Sequence, residues 1–303
     1  QLDVTGLDAV VGMVATPLLN DLFQHHPELP FVHVTDATPE FLRDAYGWQI
    51  PPEADILEAR IAKRAMATVY SSDTIARRAG QDLGLPGFDP DIIPFGVNID
   101  ALPEICPKKS PLDRLELLFV GLDWMRKGGD IAIAALDALR DGGRDAHLSI
   151  IGTCPERHRN RSDVTYLGYL DKNRPRDTAK ITAAYNRAHL LLLPSRADCT
   201  PMVISEAMAH GTPVIATDIG GVGSMIRASG GGRTMPEFSK PRDWAAMVMD
   251  ITDDQAGYAF IADAGFDHVQ TCGSWAAWAR ELEALLRAKI GKATAPDRSI
   301  TAA

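Results

Sequence analysis

Two carboxylates in segment 191–221 could accept hydrogen bonds from hydroxyl groups of a ligand. Asp198 and Glu206 lie eight positions apart in LLLPSRADCTPMVISEAMAHGTPVIATDIGG. Ionised carboxylates accept strong hydrogen bonds from sugar and ribose hydroxyls, whereas they repel phosphate. An acidic residue that complements a helix dipole, followed by a solvated glutamate, would give the same pattern.

A helix start is predicted between these carboxylates. Thr200 is a good N-cap, and Pro201 suits the first helical position. The helix would then begin with N–H groups near Met202 and Val203 that have no partner within the helix. A helix N-terminus at the carboxyl end of a buried strand favours a phosphate group.

Two cations follow a second predicted strand, in the segment LFVGLDWMRKGGD. The strand ends at Gly121, and Arg126 and Lys127 lie in the loop before the next helix. Arg can bind a diphosphate bidentately, and Lys binds it as a point charge. Solvated cations in a surface turn would explain this pair equally well. Together with the helix start, however, the pair favours a sugar nucleotide, which has phosphates in the middle and hydroxyls at both ends.

A third segment, Thr165-Tyr166-Leu167, precedes a glycine and offers backbone groups that could contact a nucleobase. A plain strand that ends at the glycine is the simpler interpretation of the same residues. Alone, the segment is therefore a weak indication of a base-binding strand.

Polar residues also lie at the end of the first predicted strand. His33, Asp36 and Thr38 could handle protons if they lined a cleft. A capping or buried polar cluster explains them better from the sequence alone.

The elements that must position these residues alternate along the chain. Short apolar runs predict strands at 31–34, 68–70, 92–95, 115–120, 148–151, 189–193 and 213–216. Helical patterns cover 53–66, 74–83, 129–139, 179–187 and 201–210. This alternation predicts parallel sheets that are covered by helices on both faces.

A proline-rich segment at 98–112 predicts a linker between two domains. We therefore expect a first domain with its linker at 1–112 and a second domain at 113–273. An amphipathic helix is predicted at 274–290, and residues 291–303 have the composition of a disordered tail.

The bulk composition narrows the class of protein. The chain has 303 residues and a net charge of -9, which argues against general affinity for nucleic acid. None of the four cysteines forms a C-x-x-C pair, and free thiols fit a cytoplasmic protein. The sequence has neither a basic n-region nor an apolar run of membrane-spanning length, so we expect no signal peptide or membrane span.

The donor-side segments resemble those of family 4 glycosyltransferases, also called glycosyl transferases group 1. That family's signature has two acidic residues eight positions apart, and here Asp198 occupies the position usually held by Glu. Lys127 matches the lysine of the family's phosphate-binding loop, while Leu122 replaces a frequent Arg. The resemblance covers residues 30–290, and its motifs are most specific from 118 to 223.

The resemblance implies an α/β protein of the GT-B fold, with two Rossmann-like domains whose parallel sheets face each other across a cleft. The first domain would lie on the acceptor side, the second would bind a nucleotide-sugar, and the helix at 274–290 would cross to the first domain. The implied reaction is retaining transfer of a sugar to a hydroxyl, without a metal or another cofactor.

The resemblance also implies roles for individual residues. The catalytic residues would be Lys127, Arg126 and Asp198, with Glu206 facing the ribose and Asp198 the transferred sugar. The remaining donor-binding residues would be Gly121, Thr165, Tyr166, Leu167, Thr200, Pro201, Met202 and Val203.

The family's first domain opens with a strand and a glycine-rich loop, and nothing before Phe31 matches them. Residues 1–25 have the pattern of a helix instead. We therefore expect an incomplete N-terminal domain, and weak or no sugar transfer by this chain alone even though it binds the donor.

Partners and competing functions follow from the same reasoning. The expected partners are a nucleotide-sugar donor and an acceptor hydroxyl on a glycan, lipid or small molecule. The first domain could also contact a membrane peripherally. A sugar-nucleotide epimerase of the same fold would use the same site without an acceptor. A non-catalytic nucleotide-sugar-binding module would bind the donor without turnover.

Overall fold

A computed structural model describes Val4 and residues 6–294, with residues 291–294 described by their backbone alone. The chain divides into two compact units. One contains the described residues up to Phe95 and from Trp275 onward, and the other is Gly96–Ser274. Within the described part of the chain, no helix is both long enough and apolar enough to cross a membrane.

Strands and helices alternate through most of the chain. The strands are β1 (Val10–Met13), β2 (Phe31–Thr35), β3 (Ala67–Tyr70), β4 (Asp91–Ile92), β5 (Leu115–Gly121), β6 (Ala146–Gly152), β7 (Val164–Gly168), β8 (Leu190–Leu193), β9 (Val214–Thr217) and β10 (Gly232–Met235). The helices are α1 (Thr16–His25), α2 (Pro39–Tyr46), α3 (Glu53–Arg64), α4 (Asp73–Asp82), α5 (Gly129–Asp141), α6 (Glu156–Arg159), α7 (Pro175–Arg187), α8 (Met202–Ala209), α9 (Val222–Ser229), α10 (Pro241–Asp253), α11 (Gln255–Thr271) and α12 (Trp275–Thr294).

The first unit contains a parallel sheet of strand order β1-β2-β3-β4. Every residue of β2 and β3 is buried, as expected for parallel strands with both faces covered. On one face Phe31 packs with Leu19 of α1 and Ile61 of α3. On the other face Val32 and Val34 pack in a cluster that includes Leu282 of α12.

The prediction of a helix within residues 1–25 is confirmed by α1 (Thr16–His25), but the prediction that this segment contains no strand is wrong. β1 pairs in parallel with β2, with Val10 opposite Phe31. Gly12 lies so close to α1 that a β-carbon there would be 2.6 Å from Leu19 Cδ2. The sequence pattern missed this strand because it has four residues, of which one is buried, and so lacks a continuous apolar run.

The C-terminal helix α12 belongs to the first unit, where Trp278, Leu282, Leu285 and Leu286 pack with the β2 and β3 side chains. Its backbone continues to Thr294, four residues beyond the predicted end. The rest of the predicted disordered tail, 295–303, lies outside the described residues.

The second unit contains a parallel sheet of strand order β10-β9-β8-β5-β6-β7. Two apolar clusters cover its two faces, one including Leu117 and Phe119 of β5 and the other including Leu118 of the same strand. The strand order reverses between β5 and β8. In open α/β sheets, ligands bind outside the carboxyl ends of the strands at such a reversal.

Residues of the predicted linker 98–112 are held in the second unit. Lys109 Nζ donates hydrogen bonds to the Tyr185 carbonyl at 2.9 Å and to Thr212 Oγ1 at 2.7 Å. Burial lowers the pKa of Lys109 to about 7. This segment is therefore packed on the second unit, and the boundary between the units falls earlier, after Phe95.

Candidate active site

The loops after β5 and β8 bring the predicted phosphate-binding cations next to the first acidic residue. Lys127 Nζ donates to Asp198 Oδ2 at 2.6 Å. A β-carbon at Gly128, whose φ is +74°, would lie 1.9 Å from the Pro194 carbonyl oxygen. Glycine at this position therefore lets the two loops approach closely enough for the ion pair to form.

Asp198 is buried and has more than one polar neighbour. Ser195 Oγ donates to Asp198 Oδ2 at 2.9 Å. Arg126 Nη1 donates to the Ala197 carbonyl at 2.9 Å and lies 3.9 Å from Asp198 Oδ1. The negative charge of Asp198 is thus compensated by the two predicted cations, Arg126 and Lys127, which both lie within 4 Å of its carboxylate.

The second acidic residue, Glu206, is buried on α8 and held by two groups. Tyr185 donates its hydroxyl to Glu206 Oε2 at 3.0 Å, and Lys172 forms an ion pair with Oε1. Burial raises the pKa of the Tyr185 hydroxyl, and the negative charge of Glu206 raises it further, so Tyr185 is a hydrogen-bond donor here. The sequence pattern predicts Glu206 as a site residue, but it predicts neither Lys172 nor Tyr185.

A cavity of about 270 Å³ in the second unit is lined by both cations and by Glu206, whereas Asp198 is not among its lining residues. Its wall is mostly apolar, and its charged groups are the two cations Arg126 and Lys127 and the ion pair between Lys172 and Glu206. The lining residues are Val120, Gly121, Leu122, Arg126, Lys127, Ile151, Gly152, Tyr169, Leu170, Lys172, Ile181, Tyr185, Val203 and Glu206. An apolar pocket with a few convergent charged groups is typical of a small-molecule site.

The structure does not place Thr165, Tyr166 or Leu167 among these lining residues. Thr165 Oγ1 lies 2.8 Å from His147 Nε2, and Tyr166 donates its hydroxyl to the Gly152 carbonyl at 3.2 Å. Leu167 packs on a core cluster. Tyr169 and Leu170, which follow β7, line the cavity instead because the chain turns toward it only after the strand ends.

The helix start near Thr200 differs from the prediction by one residue. α8 begins at Met202, so Pro201 rather than Thr200 is the N-cap, and no side chain caps it. The first N–H groups of α8 therefore belong to Met202 and Val203, as predicted, and Val203 lines the cavity.

His33 of β2 and Thr38, which precedes α2, make contacts within the first unit. His33 Nε2 lies 2.7 Å from Glu58 Oε1, and both side chains are buried. Thr38 Oγ1 accepts a hydrogen bond from the Phe41 N–H at the start of α2. These contacts fit the simpler interpretation of a capping and buried polar cluster.

Comparison with known proteins supports the resemblance. The family model described as glycosyl transferases group 1 matches residues 114–254. The chain is similar to D-inositol 3-phosphate glycosyltransferase of Corynebacterium aurimucosum, with 28% identity over 291 residues, covering 88% of this chain and 67% of the relative. For the protein of that name from Corynebacterium glutamicum, identity is 30% over 187 residues, covering 58% of this chain and 44% of the relative. The chain thus spans about half to two thirds of the length of these relatives.

Solved structures share the fold. Sucrose-phosphate synthase from Thermosynechococcus elongatus has a TM-score of 0.72 at 20% identity, covering 93% of this chain and 73% of the synthase. Anabaena Alr3699/HepE, solved with UDP and glucose, has a TM-score of 0.65 at 17% identity, covering 92% of this chain and 77% of the other. The resemblance is confirmed for residues 114–254, which form a group 1 glycosyltransferase domain, and the chain has the GT-B fold of these solved structures.

Proposed function

We propose that this protein is a retaining glycosyltransferase that moves a sugar from a nucleotide-diphosphate sugar to an acceptor hydroxyl. The observation that carries the proposal is the cavity of the second unit, which gathers Arg126, Lys127 and Glu206 at the carboxyl ends of the strands. Cations for a diphosphate and a carboxylate for hydroxyls are the complement of a sugar nucleotide.

The diphosphate binds beside Arg126 and Lys127, near the N-terminus of α8. Lys127 is paired with Asp198, so binding exchanges a carboxylate partner for a phosphate partner. As the bond to the sugar breaks, negative charge develops on the departing diphosphate. Fixed cations and a helix N-terminus stabilise such charge, which is usually a large contribution to catalysis.

The two carboxylates take the hydroxyl ends of the donor. Glu206 accepts from the ribose, and Asp198, released from Lys127, accepts from the transferred sugar. Retention of the anomeric configuration, and transfer without a metal ion, come from the resemblance to family 4. The anomeric configuration of the product tests whether transfer is retaining. It can be read from the NMR signal of the anomeric proton, either before mutarotation or on a non-reducing product.

The named relatives indicate which compounds to test first. HepE is solved with UDP and glucose, and two relatives are named for transfer to D-inositol 3-phosphate. UDP-glucose and D-inositol 3-phosphate are therefore the first donor and acceptor to assay. The names of these proteins do not favour the alternative of an epimerase or that of a module without catalysis.

A thermal-shift screen against UDP, GDP, ADP and their sugars tests the donor site. A ligand at 100 times its dissociation constant adds about 2.7 kcal/mol to the stability of the state that binds it. We expect one of these nucleotides to stabilise the wild type, and Lys127→Ala to lose most of that shift. Lys180→Ala is the matched control, because Lys180 is an exposed lysine of α7. No shift with any nucleotide at millimolar concentration would contradict the proposal.

An acceptor-dependent assay separates the three candidate functions. A transferase releases nucleoside diphosphate only when an acceptor is present, whereas an epimerase alters the sugar without one. A binding module gives the thermal shift without any turnover.

A further inference from the structure

We propose that Lys172 is a positioning residue of the nucleotide subsite: it holds the Glu206 carboxylate in place for the ribose hydroxyls. This inference rests on the proposed function, because it needs a bound nucleotide. It concerns a lysine outside the motifs that identified the site, in the loop between β7 and α7.

The Glu206 carboxylate is held at both of its oxygens. Lys172 Nζ donates to Oε1, and the Tyr185 hydroxyl donates to Oε2 at 3.0 Å. Glu206 is 2% exposed and Tyr185 is 1% exposed. With one donor on each oxygen, rotation of the carboxylate is restricted, and its remaining lone pairs have fixed directions.

The two donors differ in what they can do when a ligand enters. Tyr185 borders the cavity but is only 1% exposed, so its hydroxyl stays on Glu206. The Lys172 side chain is 46% exposed and lines the cavity together with Glu206. A carboxylate oxygen has two lone pairs, so an oxygen that accepts from Lys172 can also accept from a ribose hydroxyl at the open side.

Charge gives a second reason why Lys172 is needed. A buried carboxylate without a counterion is costly, and close to a diphosphate it would also repel the ligand. Lys127 is 2.6 Å from Asp198 and exchanges this partner for the diphosphate on binding, so in neither state is it the counterion of Glu206. Lys172 neutralises Glu206, so that a nucleotide meets an oriented acceptor whose charge is compensated.

The test is discrimination between ribose and deoxyribose. Titration calorimetry would compare the best-binding diphosphate among UDP, GDP and ADP with its 2′-deoxy and 3′-deoxy forms. The proteins are the wild type, Lys172→Met, Lys172→Arg and the matched control Lys180→Met. A variant that is partly unfolded binds all forms in the same proportion, so the affinity ratio reports on positioning alone.

We expect the wild type and Lys180→Met to prefer ribose over at least one deoxy form by about tenfold or more, the value of a charged hydrogen bond. In Lys172→Met this ratio should fall to about twofold, because the carboxylate has lost one of its two anchors. Lys172→Arg should restore most of it, since Arg keeps the charge.

Other outcomes would overturn the inference in distinguishable ways. If Lys172→Met weakened ribose and deoxy forms equally, Lys172 would have no role in ribose recognition, while the nucleotide site would stand. If the wild type bound nucleotide without preferring ribose, Glu206 would not be a ribose acceptor. If no diphosphate bound the wild type, the proposed function itself would fail.

Discussion

Two buried glutamates, one in each unit, have nearly the same partners and very different surroundings. Glu58 of the first unit accepts from the Thr16 hydroxyl at 2.6 Å and lies 2.7 Å from His33 Nε2. Glu206 of the second unit accepts from the Tyr185 hydroxyl and pairs with Lys172. Each glutamate therefore has one basic nitrogen and one hydroxyl as partners.

Access distinguishes these two clusters. The side chains of His33 and Glu58 are 0% and 7% exposed, so their pair is sealed within the first unit. The Lys172 side chain is 46% exposed, and Glu206 lines a cavity. A buried carboxylate with a basic partner is therefore not by itself a sign of a binding site. The Glu206 cluster differs from the Glu58 cluster because Glu206 borders a cavity and its basic partner, Lys172, reaches solvent.

The largest effect should come from Glu58→Ala. It removes the partner of His33 Nε2, and within the described residues His33 Nδ1 has no hydrogen-bond partner either. Leaving such buried polar groups unpaired should cost the first unit about 3 kcal/mol. Hydrogen exchange of the β2 and β3 amides measures this loss of stability in the first unit. Nucleotide affinity should not change.

A matched variant tests the cause of that loss. Glu58→Gln keeps an oxygen for Thr16 and an amide near His33, so most of the stability should return. An equal loss in both variants would show that charge, rather than unpaired polar groups, determines the stability.

Glu206→Ala should show the opposite pattern. Lys172 can reach water, so stability should fall less than in Glu58→Ala. Nucleotide affinity should fall by roughly 2 kcal/mol, or about 30-fold, since a charged hydrogen-bond acceptor is lost. Calorimetry with the nucleotide measures the affinity. Unchanged affinity would remove Glu206 from the site and make the two glutamates equivalent.

A third prediction concerns the group behind the Glu206 cluster. His210 stacks on Tyr185 with ring centroids 5.5 Å apart, and burial lowers the pKa of His210 from 6.5 to about 4. In the unfolded chain the His210 imidazole takes up a proton near pH 6.5, whereas in the folded protein it does so only near pH 4. Protonation therefore favours the unfolded state: the free energy of unfolding is highest above pH 6.5 and falls as the pH decreases toward 4.

Between pH 7 and pH 5 the second unit should therefore lose about 1.5 kcal/mol through His210, allowing for partial solvent screening. Hydrogen exchange of β8 and β9 at the two pH values measures it. His210→Gln should reduce the loss, and titrating groups that do not interact with His210 cancel when the variant is compared with the wild type. If the pH dependence were the same in both proteins, His210 would not be responsible.

The sequence predicted the strands of the second unit best. The runs at 115–120 and 189–193 match β5 and β8 within one residue at each end, since strands covered on both faces are continuously apolar. β1 was missed because most of its residues are partly exposed. Helices α10 and α11 were not assigned, although both have buried apolar residues.

The site was predictable only where residues lie in a motif. Asp198 and Lys127 were identified from local patterns in their segments, and the structure places them in contact. Lys172 and Tyr185 lie 34 and 21 positions from Glu206, and only the packing of α7 and the β7 loop against α8 brings them together. No spacing rule connects residues on separate elements, so the contacts of Lys172 and Tyr185 with Glu206 could not be predicted from the sequence.

The smallest effects should come from removing one hydroxyl in each cluster. Thr16→Val and Tyr185→Phe each delete the hydroxyl that donates to a buried glutamate and leave the basic partner in place. Each variant should lose about 0.5–1 kcal/mol of stability in its own unit, the value of one hydrogen bond. Tyr185→Phe should also weaken nucleotide binding a few-fold, because Glu206 is then held by Lys172 alone, whereas Thr16→Val should leave binding unchanged. Unit-resolved hydrogen exchange and calorimetry on the same two proteins measure both quantities. If Thr16→Val weakened nucleotide binding as much as Tyr185→Phe, the glutamate of the first unit would be coupled to the nucleotide site, and the distinction between a sealed cluster and an accessible one would not hold.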